Sequence, residues 1–147
     1  MGFHSLSFRT FCQATEDEAK VIQALKFASG TEDVERNVSE GYHGNKIVVL
    51  TAWIRRKKQI DAFFSKLGPE DLLSLSETLC KRVDEDGDLF LRLDKQKAFL
   101  GELKVLDGED VISVRGTVKA YPKRREIALT VVEEYLRVLI GGDSSEA

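Results

Sequence analysis

Apolar and polar residues alternate over Phe3–Gln13, and this period of two predicts a strand with one buried face. Two further strand candidates, Val34–Tyr42 and Lys46–Ile54, flank a short turn that contains glycine, which predicts a hairpin. The second of them holds the uninterrupted apolar run "IVVL", as expected of a strand inside a sheet. Two last strands are predicted around "LFLRL" and over Val111–Ala120.

Helical spacing of apolar residues follows the first strand and the last one. A first helix is predicted after the capping box of Thr15 and Glu18, and Gly30 provides its stop. A last helix is predicted to open at Pro122, because proline in a first turn lacks only an N–H that would have no partner there. Its apolar positions run to Leu139 in a stripe wide enough to cover a sheet face.

The middle of the chain combines helices with turns. Helical spacing resumes at Arg55, breaks at Gly68 and Pro69, and continues to Val83. The acidic stretch "DEDGD" is predicted to be a turn, because its glycine does not stand where a calcium-binding loop requires one. The stretch "DKQKAFLGEL" fits either a short helical turn or a bent strand that ends near Gly101.

These elements follow one another in the order β-α-β-β-α-α-β-β-α. Strands mixed with helices, together with one hairpin, predict an α+β fold: a mixed sheet with helices packed on one face. We expect a single domain over residues 1–140 and a flexible C-terminal tail over residues 141–147, whose sequence is "GGDSSEA".

The composition is typical of a globular chain with little net charge. The 147 residues are 42% hydrophobic and 32% charged, and the net charge is −3. A nucleic-acid site would therefore need local clustering of cations. The two cysteines are too few and too far apart for a disulfide framework or a zinc ribbon. We find neither a signal sequence nor an apolar run approaching the ~18 residues of a membrane span, and expect a cytoplasmic protein without membrane contact.

Two basic clusters occupy like positions, each where a predicted strand is followed by a helix. The segments "TAWIRRKKQI" and "VKAYPKRREI" share alanine, an aromatic residue, a basic run and isoleucine. A helix start has unpaired N–H groups and a partial positive charge, which suit a phosphate but disfavour cations in the free protein. The alternative is that these long side chains extend into water or pair with nearby acids. The clusters are Arg55, Arg56, Lys57 and Lys58, and Lys123, Arg124 and Arg125.

Three further residues are candidates for contact with RNA. The loop "EGYHGN" offers Tyr42 and His43 as faces on which an unpaired base could stack, and the alternative is a hairpin turn with a packed tyrosine. Its Gly-x-x-Gly pattern matches the loop of a KH domain, but strand-like segments rather than helices flank it. Lys95 adds to the cations that follow the "LFLRL" strand.

Catalytic and metal-binding motifs are absent from the sequence. His4 and His43 lack the spacing of metal ligands, and there is no nucleophile elbow, phosphate-binding loop or dinucleotide fingerprint. We therefore expect a protein that is not an enzyme and holds no cofactor or metal. A hydrolase with carboxylates gathered from distant loops stays open as an alternative.

Four stretches are distinctive as a set: "QATEDEAKV", "EGYHGNKIVVL", "DGDLFLRLDKQKAFLGEL" and "EDVISV". They resemble an archaeal family of predicted RNA-binding proteins or predicted exosome subunits. The similarity extends from Phe3 to about Leu139, and "DLFLRLDKQKAFLG" is its most specific part. The resemblance implies a fold like that of the large-subunit ribosomal protein that binds 5S rRNA, and RNA as a partner.

The basic clusters and the resemblance together predict a non-catalytic RNA-binding module. We expect it to contact backbone phosphates through two basic helix starts, as an accessory of an exosome-type complex or of other RNA-processing proteins. The alternative is a protein-interaction subunit that does not bind RNA itself, for which the apolar stripe of the last helix would serve.

Overall fold

The computed structural model describes residues 2–40, 44 and 46–145, with side chains described as far as Gly141. Eleven elements follow one another along the chain. The strands are β1 (Phe3–Cys12), β2 (Glu35–Glu40), β3 (Lys46–Ile54), β4 (Asp88–Asp94) and β5 (Val111–Val118). The helices are α1 (Glu18–Ser29), α2 (Lys57–Lys66), α3 (Pro69–Glu77), α4 (Leu79–Arg82), α5 (Lys95–Phe99) and α6 (Arg125–Ser145).

The strands form one five-stranded sheet in the order β2-β3-β1-β5-β4. All four strand pairs are antiparallel, so neighbouring strands never run the same way, as they would in places in a mixed sheet. The reason is the order: β1, β2 and β4 share a direction, but β3 and β5 lie between them. The predicted α+β fold with helices packed on the sheet is confirmed, as are the hairpin and the interior position of β3.

One face of the sheet forms the core with the helices. Alternate residues of β1, β3, β4 and β5 are buried there, whereas β2 is exposed along its length, and α1, α2 and α6 pack on β1, β3 and β5. Phe3 stacks on Phe64 with ring centroids 5.1 Å apart, and Tyr135 meets Phe3 edge-on at 5.3 Å. Each buried phenylalanine contributes about 2–3 kcal/mol to folding. A Cβ on Gly116 would lie 2.9 Å from the Phe3 ring, so this strand position must be glycine.

Two predicted helix starts differ from the structure. α1 begins at Glu18, and its cap is Asp17, whose side chain accepts a hydrogen bond from the N–H of Ala19, rather than Thr15. α6 begins at Arg125 instead of Pro122. The chain stays tied to the sheet beyond β5, because the N–H of Lys119 donates to the carbonyl of Gly2, and the residues up to Arg124 form a loop.

The other helices follow the sequence pattern closely. Gly30 ends α1 with a positive φ of 75°, and the helix after Pro69 is interrupted at Thr78, which separates α3 from the short α4. The ambiguous "DKQKAFLGEL" stretch contains the helix α5, whose cap is Asp94. α6 continues to Ser145, past the predicted domain end at residue 140, and the flexibility expected of residues 141–147 stays a prediction.

Candidate nucleic-acid interface

The two basic clusters leave the sheet at the same end. Ile54, the last residue of β3, is opposite Leu6, and Val118, the last residue of β5, is opposite Phe3. β1 lies between these two strands, so the segments after β3 and β5 flank its start at two strand spacings, roughly 10 Å. We call this surface the basic edge, and it consists of Arg55, Arg56, Lys57, Lys58, Lys119, Lys123 and Arg124.

One cavity is lined by a lysine from each side of the basic edge, Lys57 and Lys119. It measures about 90 Å³ and is also lined by Asp61 and Tyr135. Asp61 accepts a hydrogen bond from the Lys57 ammonium at 2.8 Å and another from the Tyr135 hydroxyl. Burial by itself would raise the pKa of Asp61, but these two hydrogen bonds outweigh it and hold the pKa below its usual range. Burial and the same carboxylate raise the pKa of Tyr135.

The start of α2 leaves three of its four cations without an ion pair to any described residue, and of the four only Lys57 binds a carboxylate, that of Asp61. Arg56 occupies the cap position without a side-chain hydrogen bond to the helix, and the first turn contains no acid. Arg55, Arg56 and Lys58 are exposed, and within the described part of the chain none of them forms an ion pair. Unpaired N–H groups and free cations therefore lie together at the start of α2, and this arrangement favours the binding of an anion.

The second cluster is divided between surface and internal contacts. Arg125 donates from Nε to the carbonyl of Val83 and from Nη2 to that of Cys80, which ties α6 to the end of α4. Lys123 is half exposed and lies 3.6 Å from a carboxylate oxygen of Asp88. Arg124 is exposed and forms no ion pair with any described residue. Only Lys123 and Arg124 of this cluster therefore reach the basic edge.

Lys95 lies far from the basic edge, at the opposite end of the sheet. Its ammonium is buried and contacts Asp110 at 2.6 Å and Glu16 at 2.9 Å. Burial lowers the pKa of Lys95, but the hydrogen bonds to the two carboxylates more than compensate and raise it. This position does not support the predicted contact with RNA, because the charge is already neutralised. Tyr42 and His43 lie outside the described residues.

The second face of the sheet is not covered by any described element. We call it the open face: the outward side chains of the four strands β3, β1, β5 and β4. It exposes three aromatic rings, Phe11, Trp53 and Phe90. Sequence reasoning missed them, although the alternation placed Phe11 on the same side of β1 as the exposed Arg9.

Arginines accompany these rings. The Arg9 guanidinium lies 5.3 Å from the centre of the Phe11 ring, and that of Arg115 lies 5.4 Å from the centre of the Phe90 ring. Arg115 also binds the buried carboxylate of Asp88 at 2.5 Å, and this hydrogen bond raises the pKa of Arg115. The second oxygen of Asp88 is buried without a hydrogen-bond partner, with the Lys123 ammonium nearby. Asp88 thus joins the open face to the basic edge.

The described residues contain neither a cluster of metal ligands nor a helix that could span a membrane. They contain no group of three or more His, Cys, Asp or Glu side chains placed to hold a metal ion. None of their helices has the length and apolar character needed to cross a membrane. The described site consists of cations, aromatic rings and backbone N–H groups, which together can bind a polyanion.

Comparison with known proteins agrees with this chemistry. A protein from Pyrococcus abyssi named RNA-binding protein PAB1135 is 44% identical over 143 residues, covering 90% of this chain and 93% of that protein. The uncharacterized protein MJ0213 of Methanocaldococcus jannaschii is 33% identical, with 84% of this chain and 90% of that protein covered.

A solved structure has the same fold. Mth689 of Methanothermobacter thermautotrophicus, described as a DUF54 protein, superposes with a TM-score of 0.76 at 36% identity and covers 95% of this chain and 99% of its own. The model of a protein family described as "RNA binding" matches residues 5–118. The protein therefore belongs to this RNA-binding family.

Proposed function

We propose that this protein is a non-catalytic RNA-binding module that holds backbone phosphates at the basic edge. The observation that carries the proposal is that the segments holding the two basic clusters leave the sheet at the same end, where Lys57 of the first cluster and Lys119, which precedes the second, line one cavity. Family membership supports RNA as the polyanion. The net charge of −3 is compatible with this function, because the cations are concentrated at one place.

Electrostatics explains why cations accumulate where a helix disfavours them. Each cation in the first turn of α2 costs a few tenths of a kcal/mol in the free protein. A bound phosphate reverses the sign of this cost, because it accepts hydrogen bonds from the helix N–H groups and pairs with the side chains. If about four phosphates of a single strand are neutralised, log K falls against log salt with a slope near −3.

The experiment that tests this proposal is fluorescence anisotropy of labelled RNA at several salt concentrations. The double variant Arg55→Glu/Arg56→Glu is expected to lower affinity at least about tenfold and to make the salt slope shallower by roughly 1.4, about 0.7 for each lost phosphate contact. Lys123→Glu/Arg124→Glu is expected to act in the same way. Arg125 is left unchanged in these variants because it binds the end of α4.

A matched control separates the basic edge from overall charge. Lys20 and Lys97 are exposed at the opposite end of the sheet, and Lys20→Glu/Lys97→Glu changes the net charge by the same amount as the test variants. We expect this control to leave affinity and slope close to wild type. Equal losses in the control and test variants would contradict a localised phosphate site.

Base stacking is the finer part of the proposal. Tyr42 and His43 are proposed to stack on a base, as their loop predicts. Tyr121 offers a described ring for the same purpose, since it is 99% exposed between Lys119 and Lys123. The replacement Tyr121→Ala is the direct test of this contribution and is compared with Tyr42→Ala in the same binding assay.

A second candidate function is contact with a protein of an exosome-type or other RNA-processing complex. A groove of about 530 Å³ lies between α2 and α6, and its wall includes Val131 and the 62% exposed Val138. Apolar side chains of this kind are common in protein interfaces. Pull-down with and without ribonuclease separates the two functions, since a direct protein partner stays bound after the RNA is digested. The fold relation to the 5S rRNA-binding ribosomal protein likewise stays a prediction.

A further inference from the structure

We propose that the open face binds RNA through unpaired bases, so that the RNA recognised by this protein is single-stranded or contains a loop. This inference rests on the proposed function and names the class of RNA. Phosphates at the basic edge would hold the backbone, and rings on the open face would stack on the bases. The basic edge by itself does not require unpaired bases, so the two proposals can be separated.

The strand register aligns the outward side chains in rows across the sheet. In one row Trp53, Ser7, Arg115 and Phe90 are opposite one another on β3, β1, β5 and β4. In this row the two rings are three strand spacings apart, roughly 14 Å at ~4.8 Å per strand. Ser7 is small and lies between them with Arg115. A base lying flat over Ser7 and Arg115 would therefore have an aromatic ring on each side of it.

The exposure of the three rings has no explanation in folding. Phe11, Trp53 and Phe90 are 47%, 42% and 39% exposed, although the opposite face of the same strands is fully buried. An aromatic ring left half in water contributes only part of its burial free energy to folding. Half-exposed rings on one face of a sheet are the arrangement by which sheet proteins stack on RNA bases, and the guanidiniums beside Phe11 and Phe90 can move aside or stack with the base.

Charge on the open face is complementary to RNA. The outward positions of the three central strands, from Ser5 to Phe11, Ile47 to Trp53 and Val111 to Thr117, contain no carboxylate. The two outward carboxylates of β4 already have partners, since Asp88 binds Arg115 and Asp94 caps α5. Arg9 lies there beside Phe11, and Arg92 is exposed on the neighbouring β4. A guanidinium plane stacks on bases and also binds phosphate, so these arginines serve an RNA strand in both ways.

Duplex RNA cannot use this surface in the same way. In a helix each base is stacked between its neighbours, and only the groove edges and the backbone are accessible. A ring of the open face could reach a base face only where the base is unpaired. The open face continues into the basic edge, since Trp53 precedes Arg55 by two residues at the end of β3. One strand of RNA can therefore follow both surfaces.

The first test exchanges aromatic rings for aliphatic side chains. Phe11→Leu/Phe90→Leu keeps the apolar character but removes the stacking planes. Its affinity for oligouridine of about 12 nucleotides, within the ~4–16 nucleotides typical of such sites, is expected to fall about tenfold for each ring that stacks. The salt slope and the affinity for a duplex of the same length are expected to stay unchanged, because no charge is lost.

Leu73→Ala is the matched control for this variant. Leu73 on α3 is exposed to the same 47% as Phe11 but lies in the helix layer, away from the open face. Urea unfolding of all variants confirms that each remains folded under the binding conditions. We expect the control to bind oligouridine as the wild type does.

The second test uses the chain's single tryptophan. Because Trp53 lies on the open face, oligouridine is expected to quench its fluorescence with the same concentration dependence as the anisotropy signal. A duplex bound only at the basic edge is expected to leave the fluorescence unchanged. Unchanged Trp53 fluorescence at saturating oligouridine would overturn the proposal.

The outcomes distinguish the two proposals. If the basic-edge variants reduced binding and the salt slope while the ring variant bound like the wild type, the open-face proposal would be wrong and the phosphate site would stand. Equal or tighter binding of duplex than of oligouridine would have the same meaning. If the wild type bound neither RNA, both proposals would fail.

Discussion

Cations in this protein differ in function according to their surroundings. Lys95 is buried between two carboxylates, Arg125 binds carbonyl groups at the end of α4, and Arg55 forms no ion pair among the described residues. Only a cation of the last kind can exchange water and counterions for a phosphate without first breaking an internal contact. At the scale of the residue, the availability of a cation for phosphate therefore depends more on its internal contacts than on whether it is lysine or arginine.

Asp61 already binds Lys57 and would compete for it with RNA at the proposed site. The change Asp61→Asn frees this ammonium and removes a negative charge from the basic edge. We expect RNA affinity to rise about 1.4- to fivefold, which corresponds to the ~0.2–1 kcal/mol typical of an exposed ion pair. Anisotropy at low salt measures the change. Glu102→Gln is the control, because it releases Lys97 at the far end of the sheet, and an equal rise there would contradict the role given to Asp61.

The Asp110–Lys95 contact predicts a pH dependence of stability. The hydrogen bond from Lys95 lowers the pKa of Asp110 below its ordinary value of 3.8. A carboxyl group whose pKa is lower in the folded state stabilises the protein above its ordinary pKa, and this contribution is lost as the pH falls. Asp110→Asn is therefore expected to lower the free energy of unfolding by up to about 1 kcal/mol at neutral pH, since the carboxylate is largely exposed.

Urea unfolding at several pH values measures this dependence. The difference between wild type and Asp110→Asn should be constant near neutrality and should close as the pH falls below 3.8, the ordinary value. A difference that persisted in acid would show that the substitution acts through packing or through the Gln96 side chain, which also binds Asp110.

At the scale of the element, the starts of α1 and α2 differ in their capping residues and in the charge of their first turns. α1 follows the usual rule, with Asp17 as its cap and Glu18 in its first turn, whereas α2 begins with cations and no capping side chain. This contrast within one chain separates a helix start that serves folding from one that is free to bind an anion.

The cap of α1 can be tested directly. Asp17→Ala is expected to lower the free energy of unfolding by about 1 kcal/mol, because the N–H of Ala19 loses its acceptor. Thr15→Ala is the matched control and is expected to change stability little, since the structure gives Thr15 no part in the cap. Urea unfolding of both variants provides the comparison, and the reverse order would restore the Thr15 cap predicted from sequence.

The whole molecule is asymmetric, with helices on one face of the sheet and rings and arginines on the other. Both proposed RNA contacts lie on parts of the surface that the helices leave free, the basic edge and the open face. Asp88 lies where they meet, since it binds Arg115 and lies near Lys123. A neutralised Asp88 would weaken both contacts to the cations, so the two surfaces are physically coupled at this buried carboxylate.

The order of elements could be predicted because its signals are local. Alternation over β1, the hairpin pairing of β2 with β3 and the glycine stop of α1 each depend on a few neighbouring residues, and the structure confirms them. The start of α6 was predicted three residues too early, because a hydrogen bond between Lys119 and Gly2 extends the loop. That contact joins residues far apart in sequence, which no local pattern records.

Some features of the candidate site could likewise be predicted from local sequence, and others depend on contacts between distant segments. Basic runs after two strands, with arginine and lysine at both helix starts, are properties that can be read along the chain. Their common position required the strand order that places β1 between β3 and β5. The burial of Lys95, the internal contacts of Arg125 and the alignment of Trp53 with Phe90 likewise arise from contacts between distant segments. Sequence determined which groups the protein carries; long-range packing determined which of them are neutralised and which share one surface.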